Sequence, residues 1–72
     1  MVKTNATAAQ IAGWTESRDY AQRQADATAK LLALSDQPGE PFELIRSRLE
    51  IVLANWRDAV RVTNFVLAAL AP

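Results

Sequence analysis

The sequence contains no cysteine and no histidine in its 72 residues. The lack of cysteine excludes disulfides and thiolate metal ligands, and the lack of histidine removes the commonest remaining metal ligand. At this length a single hydrophobic core is barely sufficient, and small domains usually gain stability from disulfides, a metal or oligomerisation. We therefore expect one domain over residues 1–72, with no cofactor and no metal, that is stabilised by association with another chain.

An excess of charge of either sign is also missing, because eight basic residues are matched by eight acidic ones. A neutral chain has no electrostatic reason to bind a phosphate backbone or an anionic membrane. The most apolar stretch, from Ala59 to Ala71, is interrupted by Arg61 and Asn64 and is too short to cross a bilayer. The segment 1–11 has no apolar core typical of a signal peptide. These features predict a cytoplasmic protein that binds no membrane, with nucleic-acid binding as a disfavoured alternative.

Proline and glycine are scarce, and most of them fall in one short segment, 35–41. Pro38-Gly39 is a turn dipeptide, and Pro41 suits the start of a helix because its missing N–H is not needed there. The flanking segments, 7–34 and 42–70, contain no proline. Two long helices joined by a short loop normally lie side by side in opposite directions. The fold class predicted is all-α, an antiparallel helical hairpin.

The first predicted helix has a clear start and a weak core face. Thr7 and Gln10 have the spacing of a capping box, in which each side chain bonds to the backbone N–H of the other residue. Charged pairs four residues apart, Asp19 with Arg23 and Asp26 with Lys30, are expected to support an exposed face. Small and apolar residues recur at helical spacing on the opposite face. They are Ile11, Trp14, Ala21, Ala25, Thr28 and Leu32.

The second predicted helix has apolar residues at alternating spacings of three and four, which is the heptad pattern of a packed helix. The positions are Phe42, Ile45, Leu49, Val52, Trp56, Ala59, Thr63, Val66 and Leu70. This stripe is expected to pack in the core, and Trp56 within it is interpreted as a core residue.

More apolar residues remain on the second helix than one stripe can hold. Leu53, Val60 and Leu67 form a second line at a repeat of seven, and a contact with one helix covers only part of the circumference. We expect two hairpins to cover this surface by forming a homodimeric four-helix bundle, with a different protein as the alternative occupant. The predicted dimer interface consists of Leu49, Val52, Leu53, Trp56, Val60, Thr63, Leu67 and Leu70.

Several residues are candidates for contact with a different protein. Aromatic and aliphatic side chains on a helix flank can dock a partner or complete the bundle core, and both readings stay open. Arg18 interrupts the apolar face of the first helix, with its stem expected along the surface and its head in water. Arg57 and Arg61 lie one turn apart and could bind an acidic group or simply be solvated, with Asp58 close enough to join Arg61. The candidate partner-binding residues are Trp14, Arg18, Leu44, Ile51, Phe65, Arg57 and Arg61.

No arrangement of residues points to catalysis. Nucleophilic catalysis needs an activated side chain, and the sequence has no histidine or cysteine from which to build one. It also has no glycine-rich phosphate loop. We therefore expect a protein that is not an enzyme.

In its overall design, two helices around a Pro-Gly turn, the chain resembles small phage-encoded helical-hairpin regulators of the quorum-sensing anti-activator type. The residues that carry the comparison are Trp14, Arg18 and Asp19 in the first helix. The resemblance implies a homodimer that inhibits a host regulator by protein–protein contact. The alternative is a structural or assembly subunit that associates with itself through helical packing.

Overall fold

The hairpin consists of two helices, α1 (Ala8–Leu34) and α2 (Phe42–Leu70), that pack against each other. The structure, a computed structural model, describes residues 7–70. Residues 1–6, on which part of the signal-peptide expectation rests, lie outside that range. The expected all-α hairpin is confirmed.

Helix α1 begins at the capping box that the sequence predicts. Thr7 has extended backbone angles, and its Oγ1 accepts a hydrogen bond from the Gln10 N–H at 3.1 Å. The Thr7 N–H in turn donates to Gln10 Oε1 at 2.8 Å. Both bonds satisfy backbone donors that have no partner within the first turn of a helix.

The turn between the helices is held by a side chain from α2. Arg46 Nη1 donates to the carbonyl oxygens of Ser35 at 2.8 Å and Gln37 at 2.6 Å. Such carbonyls at and beyond the end of a helix need donors from outside it. Gly39 has φ of +83°, a conformation that glycine adopts without steric cost, and it lets the chain reverse before α2.

Small residues on α1 form its side of the helix contact. Ala21, Ala25 and Thr28 are buried, as the spacing of the predicted stripe requires. The Thr28 hydroxyl donates to the Gln24 carbonyl at 2.7 Å, so burial leaves no unpaired donor there. Ile11 and Leu32 of the same stripe are half-buried, whereas Trp14 is exposed.

The predicted stripe differs from the side of α2 that faces α1 at Ile45 and Val52, whereas its Ala59 and Val66 are half-buried. The predicted Ile45 and Val52 are 39% and 40% exposed, while Leu53 is 6% exposed within a single chain. The expectation that Leu53 belongs to a line left over beside the core is therefore wrong. The residues of α2 that are buried or half-buried at spacings of four and three, here called the contact line, are Phe42, Arg46, Leu49, Leu53, Trp56, Val60, Thr63, Leu67 and Leu70.

The bonds made by Arg46 explain this rotation. The predicted stripe and the contact line share Phe42 and every seventh residue after it, and they differ in whether residue 45 or residue 46 follows. Hydrophobicity favours Ile45, but two carbonyl acceptors in the turn hold Arg46 against α1. Once residue 46 faces α1, the seven-residue repeat brings Leu53 to the same side.

The charged pairs expected along α1 are not formed. Asp19 pairs instead with the adjacent Arg18, whose Nη2 lies 3.1 Å from its Oδ1. Asp26 accepts a hydrogen bond from Gln22 Nε2 at 3.0 Å, and no ion pair within the described range joins it to Lys30. These side chains are exposed, where such pairs contribute only a few tenths of a kcal/mol and compete with solvation.

Candidate protein-interaction surface

The outward side of α2 carries a continuous row of exposed residues at spacings of four and three. A second helix can pack along such a row, because the spacing keeps successive side chains on one side of the helix. Every residue of this row is exposed, in contrast to the contact line. The row, here called the outer line, consists of Leu44, Arg48, Ile51, Asn55, Asp58, Val62, Phe65 and Ala69.

Large apolar side chains make up half of the outer line. Leu44, Ile51 and Val62 are 59%, 58% and 50% exposed, and Phe65 is 76% exposed. Covering one such side chain stabilises a complex by roughly 1.5–3 kcal/mol. They occur along the whole helix rather than singly, so together they form an extended apolar surface of the kind that marks interaction sites.

Few side chains of the hairpin are deeply buried. Within the described range, the buried apolar residues are Ala21, Ala25 and Leu53. No side chain in the described range is less than 2% exposed, so the contact between the two helices alone forms a thin core.

Arg48 is a charge placed inside the apolar row. Its neighbours one turn away on α2, at positions 44, 45, 51 and 52, are all Leu, Ile or Val. In the part of the chain that the structure describes, the ion pairs are Arg18–Asp19 and Asp58–Arg61, and Arg48 belongs to neither. Arg48 is thus an exposed charge with apolar neighbours on its own helix.

Asp58 is the acidic residue of the outer line. One of its oxygens, Oδ1, accepts a hydrogen bond from Arg61 Nη2, as the spacing of three predicts. Its side chain is 57% exposed and keeps a second carboxylate oxygen for another donor. Arg57, one residue earlier, borders a groove between the helices together with Arg46 and Glu50.

A crevice opens between the helices on the side that bears Tyr20. The rings of Tyr20 and Trp56 meet edge to face, with centroids 5.8 Å apart and planes at 73°. The space beside them measures 420 Å³ and is also lined by Gly13, Ala59 and Thr63. We call this feature the Tyr20 crevice. The Tyr20–Trp56 contact follows from the antiparallel register that the turn imposes. The apolar spacing within each helix does not predict it, because the two residues lie on different helices.

Trp14 and Arg18 lie near the same end of α1. Trp14 is exposed and, with Gln10 and Ser17, borders a shallow groove next to the Tyr20 crevice, which Ser17 also lines. Arg18 is half-buried and is paired with Asp19 on its own helix, not with an acid on α2. Its head is thus at the surface, as expected.

A separate apolar patch lies at the turn end of α1. Leu31 is 53% exposed and Leu34 is 74% exposed. Both positions are far along the chain from Trp14 and are not part of the outer line. The hairpin therefore presents apolar side chains on both helices.

The structure divides the predicted interface residues between two sides of α2. Seven of the eight predicted dimer residues fall on the contact line, where Leu53 and Thr63 are already covered within one hairpin, and only Val52 is exposed. The Thr63 hydroxyl donates to the carbonyls of Ala59 and Val60. The flank residues Leu44, Ile51 and Phe65, predicted either to complete the core or to dock a partner, lie instead on the outer line.

Searches against protein-family models, curated protein sequences and solved structures find no match. Within residues 7–70, no group of three or more acidic, histidine or cysteine side chains is placed to hold a metal ion. Neither described helix combines the length and apolar character needed to cross a membrane.

Proposed function

We propose that the chain is a small, non-enzymatic protein-binding module that acts as a homodimer of hairpins and inhibits or regulates another protein by direct contact. The observation that carries the proposal is the exposed outer line of α2, with four large apolar side chains that the hairpin itself does not cover. The inhibitory role is proposed from the resemblance to small phage-encoded hairpin regulators.

Two hairpins supply four helices, which is enough to enclose a bundle core that one hairpin lacks. In a two-fold homodimer the same surface of both chains forms the interface, so each contact between the chains occurs twice. The thin core favours this arrangement.

We expect the purified chain to sediment at twice its monomer mass over a wide range of concentrations. The physical reason is the apolar outer line, since burying its side chains twice in a symmetric interface offsets the entropy of association. Analytical ultracentrifugation at three or more concentrations measures this directly. A well-folded species of monomer mass, even at high concentration, would contradict the proposal.

The surface proposed for the regulated protein is the Trp14 end of α1. There an exposed tryptophan, the Tyr20 ring and the Arg18–Asp19 pair combine an apolar anchor with polar groups. Tryptophan, tyrosine and arginine are the residues most enriched at binding hot spots. This surface lies on α1 and stays free when the outer line of α2 is covered.

Replacing Trp14 with alanine is expected to weaken binding of the regulated protein at least tenfold while leaving the dimer intact, because a hot-spot tryptophan typically contributes about 2 kcal/mol or more. The readout is affinity capture from the source cells followed by titration of the captured protein. Leu34→Ala provides a matched control, since Leu34 is an exposed apolar residue at the other end of α1. Equal loss in both variants, or in neither, would remove Trp14 from the binding surface.

A second candidate function is an assembly subunit that associates beyond the dimer. The observation in its favour is the second apolar patch at Leu31 and Leu34, which the outer line does not include. Two different self-associating surfaces on one chain can produce oligomers of unlimited size. Sedimentation separates the two functions, because an assembly subunit grows in mass with concentration whereas the regulator remains a dimer.

A further inference from the structure

We propose that the second copy packs along the outer line with its α2 antiparallel to the first, and that Arg48 of each chain pairs with Asp58 of the other. This inference rests on the proposed homodimer and specifies its surface, direction and register. The occupant of the outer line is thus a second molecule of the same chain.

The distribution of charge along the outer line sets the direction. Arg48 and Asp58 are the charged residues of this row, with Arg48 near its start and Asp58 near its middle. In a parallel pair, Arg48 would face Arg48 and Asp58 would face Asp58, and like charges at a close contact are unfavourable. An antiparallel pair brings opposite charges together twice.

The same register also matches the apolar residues. Arg48 and Asp58 are each five residues from Leu53, which places the two-fold axis beside that residue. Leu44 and Val62 are each nine residues from it and therefore face each other, and Ile51 and Asn55 are each two residues from it. One axis position thus pairs Leu44 with Val62, Arg48 with Asp58 and Ile51 with Asn55, while Phe65 and Ala69 lie beyond the paired segment.

The surroundings of the two charges agree with a partner from outside. The residues three and four positions from Arg48 on its own helix are all Leu, Ile or Val, and Arg48 forms no ion pair among the described residues. Asp58 uses one carboxylate oxygen on Arg61 and retains the other. A charged group at the edge of an apolar contact is retained at low cost when an opposite charge meets it there, and it then fixes register.

Charge exchange tests the proposal. Arg48→Asp and Asp58→Arg each turn two attractions into two repulsions, so each is expected to raise the dimer dissociation constant about thirtyfold. The double variant, Arg48→Asp with Asp58→Arg, restores opposite charges across the axis and is expected to return to within about threefold of the parent. Sedimentation equilibrium gives the constants, and circular dichroism verifies that each variant is helical.

Arg61→Gln is the matched control, because it removes the intrachain partner of Asp58 and leaves both proposed contacts in place. It is expected to change the dissociation constant less than threefold. Single variants that dimerise like the parent, or a double variant that is not restored, would overturn the antiparallel register. If Arg48→Asp leaves the dimer unchanged but abolishes capture of a different protein, the outer line belongs to that protein and the proposal is wrong.

Spin labels report direction independently of the charges, and the lack of native cysteine makes single labelling sites simple. In the proposed register, labels at Ala69→Cys lie about 48 Å apart along the axis, from sixteen residues on each side at 1.5 Å per residue. Labels at Asn55→Cys lie within about 20 Å by the same geometry. Short distances at both positions would show a parallel pair, and a chain that remains monomeric would refute the homodimer itself.

Discussion

Ile51→Glu is expected to convert the dimer into a folded monomer. In the proposed register Ile51 lies two residues from the two-fold axis, so the substitution places two carboxylates near the centre of the interface. The loss of two buried isoleucine contacts alone amounts to roughly 3–6 kcal/mol, or at least about a hundredfold in the dissociation constant. Burial of unpaired charge adds to the loss. Ultracentrifugation measures the change in mass, and circular dichroism shows whether the helices persist.

The control for this variant is Arg57→Glu, which introduces an acid six residues further along α2, beside the groove between the helices and outside the outer line. It is expected to remain dimeric. If both variants dissociate, the effect reflects added negative charge rather than the outer line. If Ile51→Glu stays dimeric, the second copy does not use this surface.

Leu53→Ala is expected to produce the largest loss of stability of any truncation to alanine in α2. Leu53 is the only large apolar side chain in the described range that is classed as buried, and truncating a buried leucine costs about 2–5 kcal/mol. A domain of this size is stabilised by only about 4–10 kcal/mol. Urea unfolding followed by circular dichroism gives the change, measured at one fixed protein concentration because the proposed dimer would make stability depend on concentration.

Leu34→Ala is the matched control, since it removes the same atoms from a side chain that is 74% exposed. Its free energy of unfolding is expected to change by less than about 0.5 kcal/mol. A similar effect at both positions would show that the interior is not organised around Leu53. An effect confined to Leu53 would confirm the side of α2 that faces α1.

The hairpin and its helix ends could be predicted because their signals are local. Pro38, Gly39 and Pro41 mark the reversal, and Thr7 with Gln10 marks the start of α1 through bonds within one turn. Each of these signals acts over three or four residues, so it needs no knowledge of the tertiary structure.

The rotation of α2 could not be predicted from hydrophobicity. The predicted stripe and the contact line share five positions. Among the positions that differ, the predicted stripe has Ile45 and Val52 where the contact line has Arg46 and Leu53. Counting apolar residues favours the first line, because it contains no charge. The second line is the one observed because Arg46 meets carbonyl groups of the turn, a contact nine to eleven residues distant in sequence.

The candidate surface was predicted in its residues but not in its arrangement. The sequence predicts Leu44, Ile51 and Phe65 as partner-binding or core residues, but Arg48 is not among its candidates. Their alignment into one row with Asp58 and Val62 becomes visible when the side that faces α1 is known. The orientation of α2 relative to α1 thus determines which residues remain exposed for a partner.

Arg46 binds carbonyl groups of the short, polar turn. The turn therefore determines which side chains of α2 are exposed along the whole helix. A loop of different length, or another residue at position 46, is expected to let α2 rotate so that Ile45 and Val52 move toward α1 and Leu53 moves to the edge of the contact. The chain would then offer other molecules a different set of side chains without any alteration between residues 47 and 70. In such a fold, variation in the connecting loop is a route to new binding specificity.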